Sequence, residues 1–486
     1  MTKSTHFKSP CASRRAFLRT ASMLSLLGSA AAPFALNLAT IGAAAAQTAR
    51  SDYKALVCLF MNGGNDSFNT VLATDPTSWS AYLRLRGSPD DGVIALPAPG
   101  NPGGVLPIVP KTAQAGRRFA LHPNLSQLKN LFDAGRLAVV PNVGPLVVPT
   151  TATQYLARSV PLPQKLFSHN DQQSLWQSSM PEGAKSGWGG RMGDLFMASN
   201  SAPIFTSISV SGNAVFLAGQ LINQYQISAA GAVPIEDLHG ELFGSSASAN
   251  ALEAIISNDH SNLFEKEYAA VTRRSIAAQS QLATGLVPAG AAGVPDPTRY
   301  DSPRRGGLAR NALAVQLQTV ARVIASRSAL GARRQIFFVN LGGFDTHDNQ
   351  LGRHAELMAQ LDHAMAYFDG VLGNLQGSDL RSQVTLFTAS DFGRTFRSNG
   401  DGTDHGWGGH HLVMGGAVRG QDIIGAFPVT GLDHPQDIGG GSLLPQYSVD
   451  QYGATLASWF GLGTSQIAEV FPGIGHFANR NLGFMT

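Results

Sequence analysis

Acidic and imidazole side chains concentrate in a few short, glycine-rich stretches of this chain. The densest is TASDFGRTFRSNGDGTDHGWGGHH, residues 388–411, and a second is GGFDTHDNQ, residues 342–350. Carboxylate oxygens and neutral imidazole nitrogens are the usual protein ligands of zinc and related divalent ions. The residue types therefore predict a site for one or two divalent ions, with Zn, Mn, Ca and Mg all open. The predicted ligands are Asp66, Asp345, His347, Asp391 and His405.

Arg394 follows Asp391 by three residues in the SDFGRT segment. A guanidinium can donate two parallel hydrogen bonds to an oxyanion such as phosphate or sulfate. Arg394 is therefore a candidate for binding an anionic substrate. The competing interpretation is that the acids after strands are ordinary turn or capping residues, which is a frequent role for Asp.

The candidate ligands lie next to short apolar runs. Such runs, when continuous and rich in β-branched residues, are typical of parallel strands covered on both faces. In an open α/β sheet, ligands bind beyond the carboxyl ends of the strands, so these side chains should meet in one cleft. The predicted strands are 53–60, 136–144, 334–341, 383–389 and 411–418.

Helical patterns separate these strands. Apolar residues recur every three or four positions over 307–330 and 351–375, which predicts amphipathic helices. The alternation predicts an α/β fold with a mostly parallel central sheet and helices on both faces. The Pro/Gly-rich segments 87–110 and 286–307 are predicted loop insertions, and a cap or subdomain could lie near 195–305.

The N-terminus has the layout of an export signal. SRRAFLRTA contains the twin arginines Arg14 and Arg15, and an uncharged Ala-rich stretch then runs to residue 46. Residues 1–46 are therefore a predicted twin-arginine signal peptide, with 47–486 the mature chain. An uncleaved anchor is the alternative, since the stretch is long enough to span a bilayer. The signal predicts the twin-arginine translocase as partner, a periplasmic or secreted location, and no stable membrane span in the mature form.

Composition excludes several classes of protein. The 486 residues carry 35 Lys and Arg against 32 Asp and Glu, a net charge of +3. Five of those bases and no acid lie in residues 1–46, so 3 − 5 leaves −2 for the rest. A nucleic-acid binder would need a basic face, and none is predicted. Of 2 cysteines only Cys58 lies beyond the signal, which excludes an internal disulfide there.

Four motifs together resemble a known family. GGNDSFN, GGFDTHDNQ, SDFGRT and DHGWGGHHLVMGG, behind a twin-arginine signal, are similar to an exported bacterial family catalogued as domain of unknown function 1501. That family is related to the alkaline phosphatase and sulfatase superfamily. The resemblance spans nearly all of the mature chain and implies an alkaline-phosphatase-like fold with up to two metals. It implies metal roles for Asp66 after the first strand, for the Asp345–His347 pair, for Asp391 and for His405.

The chain departs from the superfamily pattern at one position and leaves the nucleophile open. The superfamily's Asp–His dyad reads Asp391–Phe392 here, so one expected imidazole is absent. Ser67 and Ser168 are both candidate nucleophiles. Ser168 is favoured because it begins a predicted helix, whose positive end could help bind an anion.

Two functions from different classes follow. The first is an exported metal-dependent hydrolase or transferase acting on a phosphate or sulfate ester. The second is a non-catalytic exported binding or assembly protein that keeps the fold.

Overall fold

The computed structural model describes residues 52–88, 93–228, 231, 244–258 and 261–486. The predicted signal peptide, residues 1–46, lies outside the described residues. Among the helices that are described, none has both the length and the apolar character needed to cross a membrane.

A nine-stranded sheet forms the centre of the fold, in the order β15-β5-β14-β11-β1-β10-β6-β7, with β16 also paired to β5. β1 runs parallel to both β10 and β11, and only β14 runs antiparallel to its neighbours. The strands of this sheet are β1 Lys54–Asn62, β5 Leu137–Gly144, β6 Ser207–Ser209, β7 Tyr225–Gln226, β10 Arg334–Gly342, β11 Val384–Ser390, β14 Gly409–Met414, β15 Asp422–Ile423 and β16 Tyr447–Ser448.

Smaller sheets surround this centre. They are a three-stranded sheet and two hairpins. Their strands are β2 Val71–Ala73, β3 Leu106–Ile108, β4 Phe119–Leu121, β8 Tyr300–Ser302, β9 Gly307–Ala309, β12 Arg394–Ser398 and β13 Thr403–His405.

Helices cover the sheet and connect its strands. In the described part of the chain the α-helices are α1 Pro76–Arg86, α2 Ser126–Asp133, α3 Ala152–Ala157, α4 His169–Ser178, α5 Trp188–Phe196, α6 Ser246–Ser257, α7 Leu263–Gly285, α8 Ala312–Ala325, α9 Gln350–Leu372, α10 Val449–Phe460 and α11 Thr464–Val470.

Both faces of the sheet are apolar, because successive side chains of a strand point to opposite sides. Val57 and Leu59 of β1 pack in one core cluster with residues of α8 and α9. Cys58 and Phe60 pack in the other with residues of α5 and α10. The predicted α/β class, with a mostly parallel sheet and helices on both faces, is confirmed. The two predicted helices are confirmed as α8 and α9.

One strand runs against expectation. The run 411–418 was expected to be parallel, but β14 is antiparallel to β11 and β5. A parallel strand needs a crossover to the opposite edge of the sheet, usually through a helix. Here the connection from β11 is the hairpin β12–β13, so the chain re-enters the sheet from the edge it has just left.

The predicted insertions contain little regular structure. Segment 87–110 contributes the short strand β3, and 286–307 leads into the β8–β9 hairpin. The region 195–305 holds α6 and α7 together with several short strands and 3₁₀ turns. Its role as a cap stays a prediction.

Candidate metal centre

Asp345, His347 and His405 meet beyond the carboxyl ends of the parallel strands. Asp345 and His347 follow β10, and His405 ends β13. The Thr403 N–H donates to the Thr346 carbonyl at 3.1 Å, which fastens β13 beside the loop after β10. As a result, His347 Nε2 lies 3.1 Å from Asp345 Oδ1, and His405 Nε2 lies 3.3 Å from the same oxygen.

His169 completes the cluster from a helix rather than from a strand end. It is the first residue of α4, and its Nε2 lies 3.5 Å from Asp345 Oδ2. Ligand-capable atoms of His169, Asp345 and His405 all lie within 4.8 Å of one another. Sequence reasoning missed His169 because it considered strand ends. The signal that could have found it is its position at the start of the helix that Ser168 was expected to begin.

The Nδ1 atoms of two of the three histidines face hydrogen-bond acceptors. His405 Nδ1 lies 2.7 Å from the Phe167 carbonyl, which can only accept, so this nitrogen carries the proton. His169 Nδ1 lies 2.7 Å from Asp391 Oδ2. In a neutral imidazole the other nitrogen then keeps its lone pair, so Nε2 of both rings is free to bind a metal.

His347 is held more loosely. Its Nδ1 is 3.6 Å from Asp404 Oδ1, beyond a normal hydrogen bond but close enough to feel the charge. Its Nε2 lies 2.9 Å from His405 Nε2. Two imidazole nitrogens at this distance fit either a hydrogen bond between the rings or two neighbouring ligands of one ion.

The donor set fits a divalent ion. Two ligand atoms each about 2.1 Å from a zinc ion lie roughly 3.0–3.4 Å apart for angles between about 90° and 110°. Among the Nε2 and carboxylate atoms, the separations of 3.1 and 3.3 Å lie within that range, and those of 2.9 and 3.5 Å lie just outside it. The four side chains are partly exposed, which leaves one side of the cluster open to a substrate.

Asp391 lies behind the cluster rather than in it. Its carboxylate is fully buried and accepts hydrogen bonds from the Gly63 N–H at 3.0 Å and Gln173 Nε2 at 2.9 Å, besides its contact with His169. Both oxygens are therefore already used by protein groups. The structure gives Asp391 the position of a residue that orients a ligand.

Asp66 lies outside the cluster, where its carboxylate pairs with an arginine. It lies at the start of the 3₁₀ turn Ser67–Asn69, and its carboxylate forms a fully buried, two-pronged ion pair with Arg86 at 2.5 and 3.0 Å. Gln350 Nε2 donates a further hydrogen bond at 2.5 Å. Burial favours a higher pKa for Asp66, but the charge and hydrogen bonds of Arg86 hold the pKa below its usual value. The structure does not bring Asp66 to the cluster.

Arg394 is fully buried beneath the cluster. Its guanidinium donates to the carbonyls of Gly63, Gly64, Phe344 and Thr403, and one nitrogen contacts Asp345. These contacts use its N–H groups, so the structure does not offer them to a bound anion. Arg394 instead fixes Asp345 and the loops around it.

Ser168 directly precedes His169 and caps α4 through its backbone. Its Oγ donates to Asp171 Oδ2 at 2.8 Å, and Lys165 Nζ lies 3.5 Å from Asp171 Oδ1. The preceding residue, Phe167, has φ of 72°, a strained value for a bulky side chain. This backbone turn carries the carbonyl that contacts His405.

The pKa values of the cluster residues are shifted in different directions. The hydrogen bond to Asp391 raises the pKa of His169, whereas burial lowers the pKa of His405, with a further contribution from the Arg394 charge. Burial opposes ionisation of Asp345, but the hydrogen bond and charge of Arg394 bring the pKa of Asp345 below its ordinary value. Asp345 is therefore an anion at neutral pH, as a metal ligand must be.

A glycine allows the loops to meet. Gly63 has φ of 115°, and a Cβ there would lie 2.3 Å from the Asp345 nitrogen. Any side chain at this position would displace Asp345 from the cluster.

Comparisons with known proteins place the chain in a family without assigning it a reaction. No curated protein matches its sequence. A solved structure from Bacteroides thetaiotaomicron, associated with the metabolism of multiple glycosaminoglycans, matches with TM-score 0.32 and 10% identity over 86% of this chain and 75% of that one. Alkaline phosphatase from the Antarctic bacterium TAB5 matches with TM-score 0.25 and 10% identity over 87% of this chain and 98% of that one.

Scores this low establish neither a shared active site nor a shared substrate. A sequence-family model, by contrast, matches residues 53–467, nearly all of the described chain. The chain therefore belongs to the family described as Protein of unknown function (DUF1501).

Proposed function

We propose that this protein is an exported metal-dependent hydrolase or transferase acting on a phosphate or sulfate ester, and that His169, Asp345, His347 and His405 hold a single divalent ion. The observation that carries the proposal is the convergence of three imidazole Nε2 atoms on one carboxylate. Export rests on the twin-arginine pattern at Arg14 and Arg15.

The donor set favours zinc or a similar transition metal. Three imidazoles and one carboxylate suit Zn²⁺, whereas Ca²⁺ and Mg²⁺ take mainly oxygen ligands. When bound, such an ion polarises an ester oxygen and stabilises the negative charge that develops during transfer. The protein's own part is to hold the four ligands, fix their tautomers through Asp391 and the Phe167 carbonyl, and keep one side open.

A stoichiometry of one ion follows from the groups behind the cluster. Asp391 accepts hydrogen bonds with both oxygens, and Arg394 places a permanent positive charge against Asp345. A second divalent ion on that side would meet this charge and would lack a free carboxylate. Repulsion between cations in a partly buried site therefore opposes a second ion.

Ser168 is the proposed nucleophile. A serine hydroxyl is a weak nucleophile unless a neighbouring base accepts its proton. The Ser168 hydroxyl already donates to Asp171, and its backbone adjoins His169. Lys165 supplies a nearby cation that could attract an anionic ester.

A second candidate function is a metal-binding protein without catalysis. The observation in its favour is Arg394, whose donors are all directed at protein atoms. The cation expected to bind the ester is thus used for structure.

The deciding experiment combines metal analysis with turnover. We expect the purified protein to contain close to one zinc or manganese ion, and the His405→Ala variant to lose most of it. His476→Ala, which removes an exposed imidazole far from these ligands in the sequence, is the matched control and should keep its metal. A protein that neither contains nor takes up metal would refute the proposal.

Turnover of aryl phosphates and aryl sulfates then distinguishes the hydrolase or transferase from the metal-binding protein without catalysis. Ser168→Ala should keep the metal and lose activity by a factor of about 10³ or more if Ser168 is the nucleophile. A metal-replete wild type that is inert across both ester classes would establish the non-catalytic alternative.

A further inference from the structure

Helix α7, Leu263–Gly285, leaves large apolar side chains in solvent. Leu263 is 77% exposed, Phe264 84% and Tyr268 67%. Among the residues of α7, only Ala269, Thr272, Ala278 and Leu282 are buried. A helix with so small a buried face gains little from the rest of this chain.

The exposed residues continue a buried stripe. Phe264, Tyr268, Val271, Ser275, Ala278 and Leu282 follow one another at spacings of four and three, which places them on one face of the helix. Ala278 and Leu282 pack in the main core, whereas Phe264, Tyr268 and Val271 are exposed. The same face is therefore covered at its C-terminal half and uncovered at its N-terminal half.

A groove of about 660 Å³ lies beside the middle of this stripe, next to Val271 and Ser275. It is lined by Val271 and Ser275 of α7 and by Leu221, Ile204 and Tyr225 from the neighbouring segment. Leu221 is itself exposed. The uncovered stripe and the groove form one continuous apolar surface.

We propose that this surface is where a second copy of the chain binds, with the two α7 helices packed antiparallel across a two-fold axis. At roughly 150–200 Å² for a fully exposed large side chain, the exposed fractions of Leu221, Leu263, Phe264, Tyr268 and Val271 amount to on the order of 600 Å². That apolar area alone reaches the lower end of what each partner buries in a stable protein interface, about 600–1,000 Å².

The charges along α7 favour a second copy over other occupants. Glu265, Lys266 and Glu267 lie in its N-terminal part, with a net charge of −1, and Arg273 and Arg274 lie two turns later. Within one chain a guanidinium nitrogen of Arg274 lies 3.0 Å from a carboxylate oxygen of Glu267, and both side chains are exposed, so each can also reach an opposite charge on a second helix. In an antiparallel pair, the acidic part of each helix faces the basic part of the other, so the surface is complementary to itself. The midpoint between the acids and the arginines falls between Tyr268 and Val271, which is also the centre of the uncovered stripe.

Sedimentation velocity on the purified protein at micromolar concentration tests the association. We expect the wild type to be a dimer and the double variant Phe264→Glu with Tyr268→Glu to be a monomer with an unchanged melting temperature. Leu308→Glu on β9 is the matched control, since Leu308 is also 67% exposed but lies outside this surface, and it should remain a dimer. A monomeric wild type, or a double variant that stays dimeric, would overturn the proposal.

Charge reversal tests the antiparallel arrangement. Glu267→Arg and Arg274→Glu should each raise the dimer dissociation constant by roughly tenfold or more, because each places like charges opposite one another twice. An equimolar mixture of the two variants should restore dimers, since every reversed charge then faces its opposite. Failure of the mixture to associate would contradict the arrangement.

Binding to vesicles of phosphatidylglycerol tests the alternative that the apolar surface contacts lipid. If a monomeric wild type binds such vesicles and the double variant does not, the surface contacts lipid. That result would overturn self-association.

Discussion

Two of the three candidate ligand histidines are oriented by a hydrogen bond at the ring nitrogen that faces away from the cluster. The partner is a buried carboxylate for His169 and a backbone carbonyl for His405, whereas the exposed carboxylate of Asp404 lies 3.6 Å from His347, beyond a normal hydrogen bond. Such outer partners raise the basicity of the coordinating nitrogen and lock the ring. Under the proposed function, the affinity of the site for a metal ion therefore depends on residues that are not themselves ligands.

Asp391→Asn tests this dependence. The substitution removes the negative charge beside His169, so we expect metal affinity to fall by about 10–100-fold, measured by competition with a zinc chelator. Asp404→Asn is the matched control, because its carboxylate is exposed and 3.6 Å from His347, and its effect should be several-fold smaller. Equal losses in the two variants would show that the hydrogen bond to His169 has no special role.

At the scale of the elements, one buried network joins four segments around the cluster: the loop after β1, α1, the β12–β13 hairpin and α9. The Asp66–Arg86 ion pair links the loop after β1 to α1, and Arg86 also donates to the Phe396 carbonyl on β12. Gln350, at the start of α9, donates to Asp66 and accepts from Thr403 on β13 at 2.6 Å. Asp66 thus supports the cluster by holding its loops in place.

Asp66→Asn should destabilise the fold by about 3–5 kcal/mol, since it leaves the Arg86 charge buried and unpaired. Urea unfolding measures the change. Asp133→Asn is the control, because it breaks an exposed ion pair with Lys129 and should cost less than about 1 kcal/mol. A loss as small as the control's would mean that the Arg86 charge is satisfied by its carbonyl contacts alone.

The sequence predicted the strands and the edge of the sheet at which the acids lie. It did not predict which acid lies in the cluster and which acids support the surrounding loops. Asp345, Asp391 and Asp66 each follow a buried strand, and nothing in their local pattern separates a ligand from a supporting residue. Which acid lies in the candidate metal cluster depends on the loops and on the ion pairs of Arg86 with Asp66 and of Arg394 with Asp345. His169 was missed for the same reason, since its contact with Asp391 joins residues on separate elements.

At the scale of the whole molecule, several histidines are buried without a charge. Burial lowers the pKa of His354 to about 4 and the pKa of His410 and His411 to about 3. In the unfolded chain these rings would be protonated near pH 6.5, whereas in the folded chain they stay neutral to a lower pH. Their contribution to stability is complete above that pH and is lost as the pH falls toward 4.

We therefore expect the free energy of unfolding to drop between pH 6.5 and pH 4.5, by about 1.4 kcal/mol per pH unit for each of the three histidines. Three groups act in the opposite direction: Asp362, whose pKa burial raises to about 6, Asp450, whose pKa burial also raises, and His169, whose pKa is raised by the hydrogen bond to Asp391. Urea unfolding at pH 7 and pH 5 measures the balance. A midpoint that stays constant or increases in acid would contradict the dominance of the buried histidines.

Because β14 is antiparallel to β11, the β12–β13 hairpin that carries His405 stays at the edge of the sheet where Asp345 follows β10. The connections at the opposite edge, such as the turn at Gly377 between α9 and β11, only return the chain to its next strand. This division makes the molecule convenient to engineer. A fluorophore or an affinity peptide placed at that turn would report on the protein, or immobilise it, while the edge that carries the His169–Asp345–His405 cluster faces away from the attachment point.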